Sequence, residues 1–258
     1  MSGLAFSSDA ATKLIAAYRA PDLMRQRDAT LQRLSLKRGE RVVDVGCGPG
    51  FLCEMMAAAV GPTGHVTGID ISEDLIRFAT DNKMSETIDY RVGDAAALPV
   101  DAGQFDLAVS TQVLEYVTDA DAALREMARV LRPGGRAFII DTDFDSWVWH
   151  AADTERMARI MNAWDTHCAD PRLPRTLALR LRAAGFKVVN VEAYPVLSTT
   201  YRPGDFCHGL SRLMADFLPK RGFDPRVLET WLADLEETEQ RNASFFSLNR
   251  YFFKAEKL

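Results

Sequence analysis

Three glycines at alternate positions, Gly46, Gly48 and Gly50, follow the run Val42-Val43-Asp44-Val45 and precede Phe51, Leu52, Met55, Met56 and Ala59. This order reads as a strand, a side-chain-free turn and the start of an amphipathic helix. A turn of that kind lets a ligand lie against bare backbone. The amides of the helix's first turn then point at the ligand. Two acids follow at the ends of further apolar segments. Asp70 closes His65-Val66-Thr67-Gly68-Ile69-Asp70, and Asp94 follows Tyr90-Arg91-Val92-Gly93. Asp70 falls about 20 residues beyond the loop, where a carboxylate that accepts both hydroxyls of a ribose belongs. Ser72 can cap the helix that begins near Glu73, so capping does not require Asp70. These residues are suited to a nucleotide-type ligand.

The dinucleotide fingerprint G-x-G-x-x-G needs glycine at position 51, which is Phe here. The loop also lacks the Lys-Ser/Thr ending of a P-loop. An NAD-dependent dehydrogenase is therefore disfavoured. The pattern Asp44-x-Gly46-x-Gly48-x-Gly50 instead resembles motif I of the class I S-adenosylmethionine (SAM) methyltransferases. Later segments match the same family in order and spacing: the strand ending in Asp70, then Gly93-Asp94-Ala95. After them come Phe105 to Ser110 with Thr111-Gln112-Val113-Leu114-Glu115-Tyr116, and Leu131-Arg132-Pro133-Gly134-Gly135 before the strand Arg136 to Asp141. Over roughly residues 25 to 142 the chain most resembles the small-molecule branch typified by ubiquinone- and menaquinone-biosynthesis methyltransferases.

The resemblance implies a Rossmann-like α/β fold: a seven-stranded, mostly parallel sheet with helices on both faces. It implies SAM as cofactor and S-adenosylhomocysteine as product. Cofactor contacts are expected from Tyr18, Gln26 and Arg27 in an N-terminal lid, and from Asp44, Gly46, Cys47, Gly48 and Gly50 in the loop. Further contacts are expected from Asp70 and Ile71, from Asp94 and Ala95, and from Thr111 and Gln112. Many relatives carry His where this chain has Tyr116, so a role for that His does not transfer.

Methyl transfer is an in-line displacement in which holding the reactants in line and excluding water can supply much of the rate. A general base is optional. His150 follows the fifth strand, and a near-neutral pKa would suit it to that role. Asp141 and Asp143 are its rivals. His65 opens a strand at the end away from the ligand, and His167 and His208 lie in the variable region. Phe144, Trp147, Trp149, Trp164, Tyr194, Tyr201, Phe206 and Phe217 could wall a planar acceptor or form the core of a cap. A small aromatic or heterocyclic acceptor is the expected substrate.

The whole chain limits the alternatives. A length of 258 residues allows one large α/β domain with helical additions. The expected division is a helical lid over 1–40 and a methyltransferase domain over 41–258, with cap insertions at about 142–185 and 198–240. A net charge of −5 disfavours nucleic acid, which is held by Lys and Arg. No apolar run spans a membrane and no signal peptide is visible, so a cytoplasmic protein is expected. The four cysteines show no metal-site spacing. A methyltransferase of RNA or protein, or a non-catalytic SAM-binding module, are the alternatives.

Alternating strands and helices up to residue 141 predict a parallel sheet. Helices are expected over 8–36, broken at Ala20-Pro21-Asp22, and after a cap at Thr118 or Asp119. Others are expected over Asp153 to Ala169, over Thr176 to Ala184, and after the cap Asp224 with Pro225 in its first turn. Strands are expected over Phe186 to Val191 and Ser244 to Lys254.

Overall fold

A computed structural model describes residues 18–258. The part of the expected N-terminal helix that lies over 8–17 falls outside the described residues. The lid helix α1 (Pro21–Leu34) starts at the predicted Pro and ends at Ser35, which adopts the left-handed conformation. Strands β1 (Arg41–Val45), β2 (His65–Asp70) and β3 (Ile88–Val92) alternate with α2 (Phe51–Val60) and α3 (Glu73–Asp81). Then come β4 (Phe105–Thr111), α4 (Ala120–Val130) and β5 (Leu131–Thr142). The remainder comprises β6 (Val148–Trp149), α5 (Thr154–Trp164), α6 (Pro174–Ala183), β7 (Phe186–Ser198), α7 (Phe206–Phe217), α8 (Pro225–Gln240) and β8 (Phe246–Lys257).

The sheet runs β3-β2-β1-β4-β5-β8-β7, and only β8 opposes its neighbours. The two-residue β6 continues the β5 edge of β8. Seven strands are therefore those expected, and the short eighth lies within an insertion. Strands β1 and β4 are buried along nearly their whole length because helices cover both faces. Helix α4 shows the logic: Asp119 caps it by accepting from the Ala122 amide at 2.8 Å. Ala120, Ala123, Leu124, Met127 and Val130 then turn one stripe onto the sheet.

Several boundaries differ from expectation. Strand β5 begins at Leu131, because Pro133-Gly134-Gly135 form an irregularity within the strand instead of a turn before it. Helix α5 stops at Trp164 and tightens into a 3₁₀ turn at Asp165–His167. Strand β7 runs on to Ser198 because β8 pairs with it along its whole length. The aromatic residues of the insertions mostly pack on one another. Phe144, Trp147, Trp164, Tyr201 and Phe217 join Trp231 in a second core beneath α5, α7 and α8.

Leu124 lies wholly buried in the main core. Leu124→Ala should lower the unfolding free energy by about 2–5 kcal/mol, read from urea denaturation, with the secondary-structure spectrum retained.

Candidate active site

The carboxyl ends of β1, β2, β4 and β5 face one another, and most of the expected site residues collect there. Gly48 has φ +54°, and a Cβ built on it would meet only the Tyr18 ring, 3.9 Å away. The backbone is thus open on the side where a ligand can approach, in a conformation that favours glycine. Gly46 has φ +76°, and a Cβ there would overlap the Val113 side chain from the turn after β4. The close approach of those two turns requires its missing side chain.

Asp70 links the neighbouring turns. Its Oδ2 accepts from the Gly48 amide at 2.8 Å and its Oδ1 from the Ser72 amide at 2.9 Å. Each oxygen retains further accepting capacity. Burial raises its pKa, against the lowering effect of those amides. Ser72 caps α3 through the Leu75 amide, as expected. Ile71 beside it is 65% exposed, an apolar side chain left facing solvent. Asp94 is exposed and accepts from the Ala96 amide at 2.8 Å, next to half-buried Ala95.

Asp44 is buried beneath the loop, and its Oδ2 accepts the Cys53 thiol proton at 3.3 Å. Burial pushes its pKa up to about 7. Cys47 and Cys53 are buried thiols whose pKa values are also raised, and Cys47 belongs to the loop itself. Thr111 ends β4. Gln112, with φ +58°, turns the chain away while its Oε1 accepts from Thr142 Oγ1 at 2.7 Å. A non-glycine residue in that region is a strained position of the kind found at ligand sites.

The lid residues reach the same place. Tyr18 lies among Asp70, Asp44, Arg27 and Arg250, and burial pushes its pKa up to about 12. Arg27 donates to the Tyr18 carbonyl, and its guanidinium lies 5.0 Å from the centre of the Phe51 ring. Gln26 is buried, and its Oε1 accepts from Arg250 on β8. Asp22 Oδ2 accepts the Phe206 amide of α7 at 3.1 Å. The lid is thus tied to β8 beside the end of β5, where Arg250 pairs with Thr142, and to the cap helix α7.

The three catalytic candidates separate. Asp141 is fully buried, and its Oδ1 accepts from the amides of Val113 (3.2 Å) and Glu115 (3.4 Å). Asp143 is committed elsewhere: both oxygens bind Arg175, at 2.7 and 3.0 Å, and Oδ1 also accepts the Asp145 amide at 3.0 Å. His150 is exposed and follows β6, which pairs with Ser247 and Phe246, beyond the Thr142–Arg250 pair that ends β5. It lines a separate cavity of about 10 Å³ with Trp149, Tyr201 and Cys207, room for about one water. The structure does not bring His150 to Asp141.

Two residues that sequence reasoning missed are buried beside Asp141. Glu115 Oε2 accepts the Thr142 amide at 2.7 Å, and Arg250 lies on β8 opposite Thr142. Each carried a signal. Glu115 interrupts the apolar run Val113-Leu114-Glu115-Tyr116-Val117, and Arg250 shares the inward parity of Phe246, Leu248 and Phe252.

A sheet in this order, with a positive-φ glycine loop after its central strand and acids at the neighbouring ends, defines the Rossmann-like methyltransferase fold. A family model described as a methyltransferase domain matches residues 36–193, and the chain belongs to that family. A ubiquinone biosynthesis O-methyltransferase of Xanthomonas axonopodis pv. citri is 34% identical over 158 residues, covering 59% of this chain and 65% of that protein. A demethylmenaquinone methyltransferase of Halalkalibacterium halodurans is 36% identical over 119 residues, covering 45% and 49%. The chain thus spans about half to two thirds of the length of these curated relatives. Among solved structures, the [4+2]-cyclase SpnF superposes with a TM-score of 0.58 at 27% identity, covering 90% of this chain and 80% of that one.

The raised Asp44 pKa has a stability consequence. The folded protein holds a proton on Asp44 up to about pH 7, whereas the unfolded chain releases it near pH 4. That contribution is complete below pH 4 and is lost as pH rises to about 7. Asp44→Asn should therefore gain stability relative to wild type across that window and hold a constant offset above it, read from denaturant midpoints at stepped pH.

Proposed function

We propose that this chain is a SAM-dependent methyltransferase acting on a small aromatic or heterocyclic acceptor. Family membership supports the reaction class, and the open glycine backbone with acids at the neighbouring strand ends fits the cofactor. In this reading Gly46, Cys47, Gly48 and Gly50 present backbone to the amino-acid tail and ribose, and Asp44 serves the tail's ammonium. Asp70 accepts from the ribose hydroxyls while keeping its amide bonds to Gly48 and Ser72. Ile71, Asp94 and Ala95 border the adenine, and Thr111 and Gln112 border the reacting end. Tyr18, Gln26 and Arg27 close over it from the lid. The bound cofactor supplies an electrophilic methyl on a sulfonium, which is a good leaving group. The chain's own task is to align the acceptor and exclude water.

The observation that carries the small-acceptor reading is the link from lid to cap beside the end of β5. Gln26 meets Arg250 and Asp22 meets the Phe206 amide, which ties the lid helix to β8 and to the cap helix α7 and favours an enclosed reacting end. An enclosed site suits a small molecule better than a strand of RNA or a folded protein. The net charge of −5 points the same way. The O-methyltransferase name of the Xanthomonas relative supports an oxygen acceptor on a ring. A second reading follows from SpnF, a similar fold whose named activity is ring closure. A small-molecule product that gains one methyl unit in mass supports the first reading; an isomer of unchanged mass supports the second.

Calorimetry tests the cofactor. SAM or S-adenosylhomocysteine should bind, and NAD should not. Asp70→Ala should weaken cofactor binding by about 1.5–3 kcal/mol, the scale of hydrogen bonds to an ionised group. An unchanged dissociation constant in a folded variant would remove Asp70 from the site.

A further inference from the structure

Glu115 and Asp141 are each held by one oxygen and bare at the other. Glu115 Oε2 takes the Thr142 amide and Asp141 Oδ1 takes the amides of Val113 and Glu115. Glu115 Oε1 and Asp141 Oδ2 have no hydrogen-bond partner among the described residues, and both side chains are fully buried. Ser110 Oγ and Thr111 Oγ1, at the end of β4, and Arg250 Nε on β8 are likewise buried and unpartnered. A buried acceptor or donor left unmade costs free energy that a structure rarely leaves uncompensated. The Glu115 amide joins the two residues through Asp141 Oδ1, so the two bare oxygens belong to one buried polar pair beside the end of β5.

We propose that Glu115 Oε1 is the proton acceptor for the hydroxyl of the methyl acceptor, with Asp141 as a protonated neighbour that keeps the pair singly charged. This rests on the methyltransferase reading above. The acceptor's O–H bond breaks and its proton passes to Glu115 Oε1. The freed electron pair forms the new carbon–oxygen bond as the carbon–sulfur bond breaks, so a cation and a carboxylate yield neutral products. Tyr116, next to Glu115 in the chain, packs edge-on against His167, and His167 against Phe144. The Tyr116 and His167 ring centres are 5.7 Å apart, and those of Phe144 and His167 are 4.6 Å apart.

The surroundings divide the protons. Burial pushes Glu115 up to about 7, with the Thr142 amide, Arg250 and Tyr116 opposing the rise. Burial and then the Glu115 charge hold Asp141 well above the usual carboxylate range. Arg250 is the cation facing the pair. Tyr18 on the lid side, Tyr116, Cys168 and His167 are the other titratable groups around it, all raised except His167, which burial lowers to about 4. One carboxylate against one guanidinium is therefore the resting charge near neutrality. A group that titrates close to neutral pH is suited to proton transfer there. His150, on a different surface, has no comparable position.

The test uses the whole chain with S-adenosylhomocysteine bound, phenol as the probe, and ¹³C labels on the Glu and Asp carboxyl carbons. One Glu signal should titrate near pH 7, disappear in Glu115→Gln and persist in Asp141→Asn. The Asp141 signal should titrate well above the range of an ordinary carboxylate. Phenol should lower the Glu115 midpoint, and its affinity should rise about tenfold from pH 6 to 8, since it binds the ionised fraction. That rise should vanish in Glu115→Gln and persist in Asp141→Asn. If Glu115→Gln fails to fold, Glu115→Asp assigns the signal equally well, because it removes the same Glu resonance. A Glu115 already ionised at pH 5, or phenol that moves neither carboxyl signal, overturns the proposal. Calorimetry of S-adenosylhomocysteine on the same sample separates the two claims. Normal cofactor binding with no such titration defeats only the Glu115 role, whereas absent cofactor binding defeats the methyltransferase reading.

Discussion

Asp70 ties the turn after β1 to the turn after β2 by giving one carboxylate oxygen to the Gly48 amide and the other to that of Ser72. The loop has a backbone bond of its own, from the Gly50 amide to the Cys47 carbonyl, and Gly46 and Cys47 donate to Ile69 on β2; Asp70 adds the side-chain link. Glycines at positive φ carry little conformational preference, so the loop's shape depends on such external anchors. A carboxylate that grips backbone amides on both sides sets the loop and the start of α3 together. It also places a partly buried anion at the edge of the cleft, so the group that shapes the site is also one that a ligand's hydroxyls can use.

The first half of this arrangement was legible in the sequence because its causes are local. Strands β1 and β2 are short, largely apolar runs that lead into the glycine loop and Asp70, and the Asp119 and Ser72 caps fall where short polar side chains precede amphipathic stretches. The second half depends on pairing at a distance. The six residues expected of β7 became thirteen because β8 runs beside them, and nothing in the segment Ala193 to Ser198 announces a partner. In sequence, Pro133-Gly134-Gly135 precedes the strand expected from Arg136. The chain instead absorbs it as an irregularity in β5, a choice made by the neighbouring strand.

The site divides along the same line. The stretch proposed for the cofactor is written in glycines and acids with fixed spacing, and Asp70 meets the Gly48 amide there. The acceptor side depends on which buried side chains end up near Asp141, and sequence proximity misled there. His150 is close in the chain but is carried away by β6, whereas Arg250 is about a hundred residues distant and arrives through the antiparallel register of β8. Many of the aromatic residues that suggested an acceptor wall were needed to fill a second core under the cap helices. A helical insertion cannot stay folded on a sheet edge without burying a stripe of its own.

The position of β8 has a further consequence, for vectorial synthesis. It is the strand made last, yet it sits between β5 and β7 and pairs with both. The β1–β5 unit can assemble on the ribosome as its segments emerge, since its pairings are nearly all complete by Thr142. Strand β7 cannot join the sheet until residues 246–257 exist, and Gln26 waits just as long for Arg250. A nascent chain therefore carries an exposed β5 edge, unpaired amides included, through the time needed to make more than a hundred residues. Such an edge is an invitation to wrong partners. Strand β8 thus acts as a timer: the lid helix cannot be latched to Arg250 before β8 has been made.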